Sequence, residues 1–195
     1  MMSNQVAQTR IRILKAALKK LEVADGNTVR ISDVAKEAGV TRQTLYLYFR
    51  SRTELLIAVT HYVDELNSSD ARLAASRAAP TGTARLEAFI AAWTDYIPEI
   101  YGVARALMAM NEEDANAAWQ LRMQDMWEGC EAAIKALKAD RQLNPDYSVK
   151  DASDLLWTLL SVRNWEHLRI DREWSQRKYA QHIQDVARRL FVMGR

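Results

Sequence analysis

The chain has 195 residues, of which 49% are hydrophobic and 27% are charged, so its length allows one domain or two small ones with an ordinary globular core. No apolar run approaches the roughly 18 residues of a membrane-spanning helix, and the single cysteine, Cys130, excludes an internal disulfide framework. Residues 1–9 lack the apolar region of a signal peptide, which predicts a cytoplasmic location and no membrane partner.

The basic side chains are concentrated in the first third of the chain. Residues 1–60 hold ten Lys and Arg against five Asp and Glu, a net charge of +5, whereas the remainder carries −3. A basic region on a mildly acidic body suggests a polyanion as partner. Taken alone, a solvated basic face is the commoner explanation of such a bias.

The N-terminal residues predict three short helices. The first is marked by four apolar residues at helical spacing: Ile11, Leu14, Leu18 and Leu21. Residues 25–27 predict its end. A second helix, over about 31–38, is expected to end at Gly39, because glycine can adopt the left-handed conformation of a helix end. Thr41 is then expected to cap a third helix over about 42–49.

The rest of the chain also has helical periodicity. A capping box at residues 51–54 opens a long fourth helix that runs toward the Ala/Ser-rich stretch before Pro80. Pro98 is expected to end the next helix, a long helix continues to 144–146, and the last helix follows Asp171. No strand alternation competes with this pattern, so we expect an all-α fold of about nine helices.

Residues 31–49 have the anatomy of a helix-turn-helix, because a tight turn containing glycine separates two short helices. With Leu45 pointing inward, Gln43 and Leu47 point outward on the second of these helices. Arg can bind guanine, Gln can bind adenine, and Thr and Tyr can contact thymine methyl groups or phosphates. The candidate base-reading residues are therefore Arg42, Gln43, Thr44 and Tyr46.

These residues belong to motifs that resemble the signature of the TetR family of regulators. Gly-Val-Thr at 39–41, Thr-Leu-Tyr-Leu-Tyr-Phe at 44–49 and Ser-Arg-Thr-Glu-Leu-Leu at 51–56 match the family pattern. Gln43 stands where that pattern often has glycine. The resemblance covers about residues 10–57, while the remainder agrees in length and helical character.

The resemblance also implies contacts with the DNA backbone. Thr41, Tyr48 and Arg52 would anchor phosphates, and Arg52 can do so with two hydrogen bonds where the family usually has Lys. Arg30 stands where the family usually has a capping Thr or Ser, so it is expected to reach a phosphate instead. Half-buried packing is the alternative role for both Tyr46 and Tyr48.

The function implied by the resemblance is that of a ligand-responsive transcriptional regulator, a repressor that binds a palindromic operator in double-stranded DNA as a homodimer. A small-molecule effector would tilt the fourth helix and release the DNA. We assign residues 1–50 to DNA binding and 51–195 to ligand binding and dimerisation. The alternative is an architectural or nucleoid-associated protein without an inducer. We expect no enzyme activity, cofactor or metal, because the sequence has no glycine-rich phosphate loop and no His or Cys at metal-ligand spacing.

The C-terminal body offers candidates for both of its expected roles. The effector would contact residues in an aromatic-rich set: Trp93, Tyr96, Trp119, Met123, Trp127, Asn164 and His167. Core packing is the alternative for each tryptophan. The dimer interface would use apolar stripes on the last two helices: Leu156, Leu160, Tyr179, Ile183, Val186 and Leu190.

Overall fold

The computed structural model describes residues 2–23, 29–66, 69–110 and 112–194 of the protein. Most of its described part is helical, including a π-helical turn at His167–Asp171, and the predicted all-α class is confirmed. The α-helices are α1 (Met2–Val23), α2 (Ile31–Glu37), α3 (Arg42–Tyr48), α4 (Arg52–Leu66), α5 (Ser69–Arg77), α6 (Gly82–Met108), α7 (Glu113–Ala139), α8 (Val149–Leu159), α9 (Val162–Glu166) and α10 (Gln176–Phe191). The predicted stop at residues 25–27 lies outside the described residues.

The chain divides into two compact units. The first unit comprises Met1–Asn67 and Glu99–Gln120, and the second comprises Ser68–Pro98 and Leu121–Arg195. The first boundary follows α4, and the other two fall inside helices, since α6 and α7 each contribute to both units. Compactness therefore groups α4 with the first three helices, whereas the division after residue 50 remains a functional prediction.

The core of the first unit is formed by α1 packed against α2 and α4. The buried face of α1 differs from the predicted one, because Ile11 is 42% exposed whereas Ile13 is fully buried. Ala16 and Ala17, one helical turn after Ile13, are also buried, so the buried face includes Ile13 and leaves Ile11 outside. The buried side chains of α1 are Ile13, Leu14, Ala16, Ala17 and Leu21.

The core of the second unit is formed by apolar residues from its long helices. The buried members include Leu86, Phe89, Ile90, Ile97, Met126, Ile134, Leu137, Leu156, Leu160, Ile183 and Phe191. Cys130 is also fully buried, and burial raises the pKa of its thiol well above the usual value. This cysteine therefore packs in the core as a small hydrophobic side chain.

The prediction that Pro98 ends a helix was wrong, because α6 continues through it to Met108. A proline inside a helix removes one backbone hydrogen bond and leaves the carbonyl group four residues earlier without its helical donor. That carbonyl belongs to Thr94, and it accepts a hydrogen bond of 2.7 Å from Nε2 of Gln176. A side chain of α10 thus supplies the hydrogen bond that the Thr94 carbonyl lacks because of Pro98.

Helix α4 is described as far as Leu66, and α5 covers part of the Ala/Ser-rich stretch that follows. Residues 67–68, between these two helices, lie outside the described part of the chain. Helix α8 begins at a cap in which the Ser148 hydroxyl accepts from the Asp151 backbone N–H at 3.0 Å, and the helix ends at Leu159. Ser161 then caps α9 by accepting from the Asn164 backbone N–H, because a serine side chain can replace the backbone partner of a helix N–H group.

Candidate nucleic-acid interface

The turn between α2 and α3 has the predicted geometry. Gly39 adopts φ +65°, and the Val40 N–H donates to the Ala35 carbonyl at 3.0 Å. These features close the C-terminal end of α2 and reverse the chain within three residues. At the other end of α2, the side chain of Arg30 makes no capping hydrogen bond and is exposed. Its guanidinium can therefore extend toward a partner, and its contact with a phosphate stays a prediction.

The start of α3 is held by two threonines. The Thr41 hydroxyl accepts from the Thr44 backbone N–H at 3.0 Å, and the two hydroxyl oxygens lie 2.9 Å apart in a hydrogen bond. The predicted cap is therefore confirmed. Leu45 and Phe49 are almost fully buried and anchor the inner face of the helix. The cap and the anchored face together make α3 a short rigid element whose outer face is presented to solvent.

The outer face of α3 carries most of the predicted base-reading residues. Arg42, Gln43 and Tyr46 are exposed, and Thr44 is half-buried because it takes part in the cap. Leu47, which was predicted to point outward, is 85% exposed, and no DNA contact was predicted for it. The helix therefore offers one apolar group among its polar ones.

Arg42 and Tyr46 contact each other one helical turn apart. The Cζ atom of Arg42 lies 5.5 Å from the centroid of the Tyr46 ring, and Nη2 is 3.4 Å from the phenolic oxygen. A cation over an aromatic ring is stabilised by the ring quadrupole, which restricts the arginine side chain. The two predicted contact residues are thus held together before any ligand binds.

The first turn of α4 is also built as predicted. The Ser51 hydroxyl accepts from the Glu54 backbone N–H at 3.0 Å, and the Glu54 carboxylate accepts from the Arg50 backbone N–H at 2.7 Å. Arg52, at the first position of α4, is half-buried. Thr53 is 3% exposed and donates a hydrogen bond to the carboxylate of Glu112 within the same unit.

A cluster of opposite charges links α1 to α2. Glu37 accepts from Lys19 at 2.5 Å and lies 3.1 Å from the ammonium group of Lys20. The hydrogen bonds from these two lysines lower the pKa of Glu37, and the bond to Glu37 raises the pKa of Lys19. Glu37 therefore stays ionised and stabilises the position of α2, the helix that precedes the turn.

A groove of about 260 Å³ lies beside α3 and was not foreseen from the sequence. Its lining residues come from α1 and from the turn and helix of the helix-turn-helix: Gln5, Val6, Thr9, Arg12, Val40, Thr44 and Tyr48. The predicted phosphate-contact residue Tyr48 is half-buried in this lining. The only sequence signal for the contribution of α1 was the polar side of its helical pattern.

Four of the candidate effector-binding residues lie in the second unit, and their polar groups form hydrogen bonds within the protomer. Trp93 Nε1 donates to the Leu160 carbonyl at 2.8 Å, and Trp127 Nε1 donates to the Asp154 carboxylate at 2.8 Å. Asn164 Nδ2 donates to the Thr158 carbonyl at 2.6 Å, and His167, which is exposed, pairs with Asp171 at 2.9 Å. Ring faces, rather than N–H groups, are therefore what these tryptophans can offer to a ligand.

The remaining three candidate effector-binding residues differ in burial and in the unit to which they belong. Tyr96 is 3% exposed, and the guanidinium of Arg72 lies 3.3 Å from its ring centroid, so one face of this ring is already covered. Met123 is half-buried, and its carbonyl accepts from Nε1 of Trp157 at 3.1 Å. Trp119 is half-buried and belongs to the first unit, unlike the other candidates.

The dimer candidates fall into two groups by burial. Leu156, Leu160, Tyr179 and Ile183 are 0–3% exposed within a single protomer and form core. The pair of half-buried candidates on α10 consists of Val186 and Leu190. On α8, an apolar residue outside the predicted set, Leu155, is 42% exposed. Side chains already covered within one protomer cannot also face a partner, which restricts the residues available for a dimer seam.

The described part of the chain contains no group of three or more His, Cys, Asp or Glu residues that could hold a metal ion. Within the same residues, no helix combines the length and apolar character needed to cross a bilayer.

Comparison with known proteins agrees with this geometry. Residues 13–59 match the family model described as bacterial regulatory proteins, tetR family. The HTH-type transcriptional repressor LfrR of Mycolicibacterium smegmatis is 29% identical over 158 residues, which cover 80% of this chain and 77% of that protein.

Solved structures share the fold over nearly the whole length. A transcriptional regulator from Saccharomonospora viridis, crystallised with choline, has a TM-score of 0.83 at 17% identity, covering 96% of this chain and 100% of its own. NalD, the secondary repressor of the MexAB-OprM multidrug efflux pump in Pseudomonas aeruginosa, has a TM-score of 0.67 at 20% identity, with coverages of 96% and 97%.

Proposed function

Because the chain belongs to the TetR family of helix-turn-helix transcriptional regulators, we propose that it is a repressor that binds a palindromic operator as a homodimer and is released by a small-molecule effector. Such a repressor binds double-stranded DNA, which fits the cytoplasmic location expected from the sequence. Its activity is binding rather than catalysis.

The observation that carries the proposal is the outer face of α3. A rigid short helix with a capped start presents Arg42, Gln43 and Tyr46 to solvent, while Leu45 holds its inner face in the core. A recognition helix inserts its N-terminal residues into the major groove, where Arg and Gln can each bind a base with two hydrogen bonds. The positive charge of the first third of the chain supplies the attraction to phosphates.

The experiment that tests sequence-specific binding is selection from a random duplex library, followed by affinity measurements at several salt concentrations. We expect a selected duplex to bind about 10³-fold or more tightly than random DNA. The selected sites should be inverted repeats whose half-sites are separated by multiples of about 10 base pairs, since a two-fold dimer presents two copies of α3. Equal affinity for all duplexes would instead favour the architectural protein.

The proposed effector is an aromatic or cationic small molecule. The ring faces of Trp93 and Trp127 and the adaptable side chain of Met123 are the groups that support this choice. Aromatic rings of this chain already attract cations, as Lys178 lies 4.0 Å from the centroid of the Trp174 ring. The structural relative crystallised with choline binds a ligand of the same chemical class.

The effector proposal is tested by titrating choline and a set of aromatic cations while recording tryptophan emission and operator binding. We expect a ligand of this class to quench emission and to release the operator, since an effector must bind the DNA-free state more tightly. Trp127→Phe keeps a ring and should retain part of the response, whereas Trp127→Ala should lose it with unchanged DNA affinity. Quenching without DNA release would contradict the proposed role.

A further inference from the structure

We propose that the groove beside α3 holds one backbone phosphate of the operator, with Arg12 as its counter-charge. This inference rests on the proposed DNA-binding function and adds α1 to the interface. The groove has a volume of about 260 Å³, which leaves space beside α3 for a phosphate and part of its sugar. None of the residues assigned from the sequence to DNA binding lies on α1.

The chemistry of the groove lining fits an anion. The polar groups among its described lining residues are the Gln5 amide, the Arg12 guanidinium and the hydroxyls of Thr9, Thr44 and Tyr48, and none of these described residues carries a carboxylate. A second cavity in the same unit, of about 190 Å³, is different because Glu54 and Glu65 both line it. Phosphate oxygens accept hydrogen bonds and repel carboxylates, so only the first of these cavities suits them.

Within the lining, Arg12 and Tyr48 are the donors best suited to a phosphate. The Thr9 hydroxyl donates to the Gln5 carbonyl at 3.0 Å, and the Thr44 hydroxyl takes part in the cap of α3. Arg12 is exposed, and its guanidinium can bind two phosphate oxygens at once.

The other arginine near this end of α1 is engaged elsewhere. The guanidinium of Arg10 lies 5.4 Å from the centroid of the Phe49 ring and lines the second cavity rather than the groove. Arg12 is therefore the cation that the groove itself contains.

The position of the groove supports a DNA phosphate rather than a free anion. Thr44 and Tyr48 line it from α3, the helix whose outer face carries Arg42 and Gln43. When this helix occupies a major groove, the sugar-phosphate backbone runs along its flanks, where such donors usually bind. Val6 and Val40 add apolar surface against which a deoxyribose can pack.

The test uses the full-length protein and its selected duplex. Arg12→Gln should lower affinity about tenfold per half-site on every sequence and reduce the slope of log affinity against log salt by about 1.8, because the homodimer loses one phosphate contact of about 0.9 in each half-site. Arg12→Lys keeps the charge and should keep the slope. The control is Lys15→Gln, an exposed cation of α1 that does not line the groove and should leave the slope unchanged.

Duplexes with one methylphosphonate at a time locate the phosphate, since this substitution removes a single charge. We expect one position per half-site where wild-type affinity falls about tenfold while the Arg12→Gln variant loses nothing further. An unchanged slope in Arg12→Gln, or equal losses for both proteins at every position, would overturn the phosphate site while Arg42-dependent specificity upheld the proposed function. Failure of the wild type to bind any duplex would overturn both.

Discussion

The guanidinium of Arg42 lies over the ring of Tyr46, with Cζ 5.5 Å from the ring centroid and Nη2 3.4 Å from the phenolic oxygen. Both side chains are exposed on the outer face of α3, so the contact is not imposed by burial. Tyr46 restricts the rotamers of Arg42 and lowers the entropy lost when the arginine binds a base. We therefore predict that Tyr46 acts through Arg42 as well as by its own contacts with DNA.

We predict that Arg42→Ala costs about 1–3 kcal/mol per half-site on the selected operator and relaxes specificity at one base pair in each half-site, because a two-bond contact with guanine is lost there. Tyr46→Phe keeps the stacked ring and should cost less than Tyr46→Ala. In a double-mutant cycle, Arg42→Ala and Tyr46→Ala should be non-additive by about 0.5–1 kcal/mol. Additive losses would show that the two residues contact DNA independently.

Leu47 predicts an apolar contact with the operator. The side chain is 85% exposed and cannot donate to a phosphate, so a thymine methyl group is the DNA partner that suits it. Replacing the contacted thymine by uracil removes one methyl group and should weaken wild-type binding about fourfold. The Leu47→Ala variant should no longer distinguish the two bases. Leu66→Ala, a second exposed leucine of the first unit, is the matched control and should retain the discrimination.

The helix-turn-helix could be predicted from the sequence because its signals act over three or four residues. The left-handed Gly39 and the caps at Thr41 and Ser51 each bind groups within the same turn, and the structure has all three. Such local hydrogen bonds depend little on the rest of the fold.

The errors arose where a distant partner decides the outcome. The helix continues through Pro98 because Gln176, 82 residues from Thr94 in sequence, satisfies the Thr94 carbonyl. A stripe such as that around Ile183 shows which face of a helix is apolar, but whether the same protomer or a second copy covers that face depends on tertiary packing. The groove at Arg12 also required the positions of α1 and α3.

Gly102 is predicted to resist substitution. Gly102 in α6 and Leu21 in α1 belong to the same unit. A Cβ atom on Gly102 would lie 2.5 Å from the carbonyl oxygen of Leu21, which is closer than a Cβ contact allows. Glycine to alanine inside a helix normally stabilises by about 1 kcal/mol, but this contact should make Gly102→Ala destabilising by about 1–3 kcal/mol. Denaturant unfolding measures the difference. Gly194→Ala, where a Cβ would meet no atom within 4 Å, should be close to neutral, and equal effects at both sites would contradict the prediction.

The Lys19–Glu37–Lys20 cluster predicts a pH-dependent contribution to stability. Because the lysines lower the pKa of Glu37 in the folded protein, its contribution is present above the ordinary pKa of a glutamate and is lost as pH falls through the lowered value. Glu37→Gln should therefore be less stable than the wild type at neutral pH and indistinguishable from it in strong acid. The difference should also shrink with added salt, since these side chains are at the surface. If the wild type and Glu37→Gln differed in unfolding free energy by the same amount at every pH, the ion pair would be ruled out as the cause.

The dimer seam is predicted on the outward faces of α8 and α10. Leu155 is 42% exposed and Leu190 is half-buried, so each can bury apolar surface against a partner. Ile183 is only 3% exposed within one protomer and has almost no surface left to bury. The combined variant Leu155→Asp and Leu190→Asp should give a folded monomer with weak operator binding, since a two-fold interface would place these charges against their own copies.

Ile183→Asp tests the same assignment from the other side. A charge at this core position should cost about 3–5 kcal/mol and unfold the chain rather than separate folded subunits. Sedimentation at micromolar concentration distinguishes monomer from dimer, and circular dichroism reports whether each variant is folded. Leu121→Asp, on an exposed leucine of α7, is the control for an added surface charge and should remain dimeric. A monomeric wild type would refute dimerisation itself, and a dimeric Leu155→Asp/Leu190→Asp variant would move the seam elsewhere.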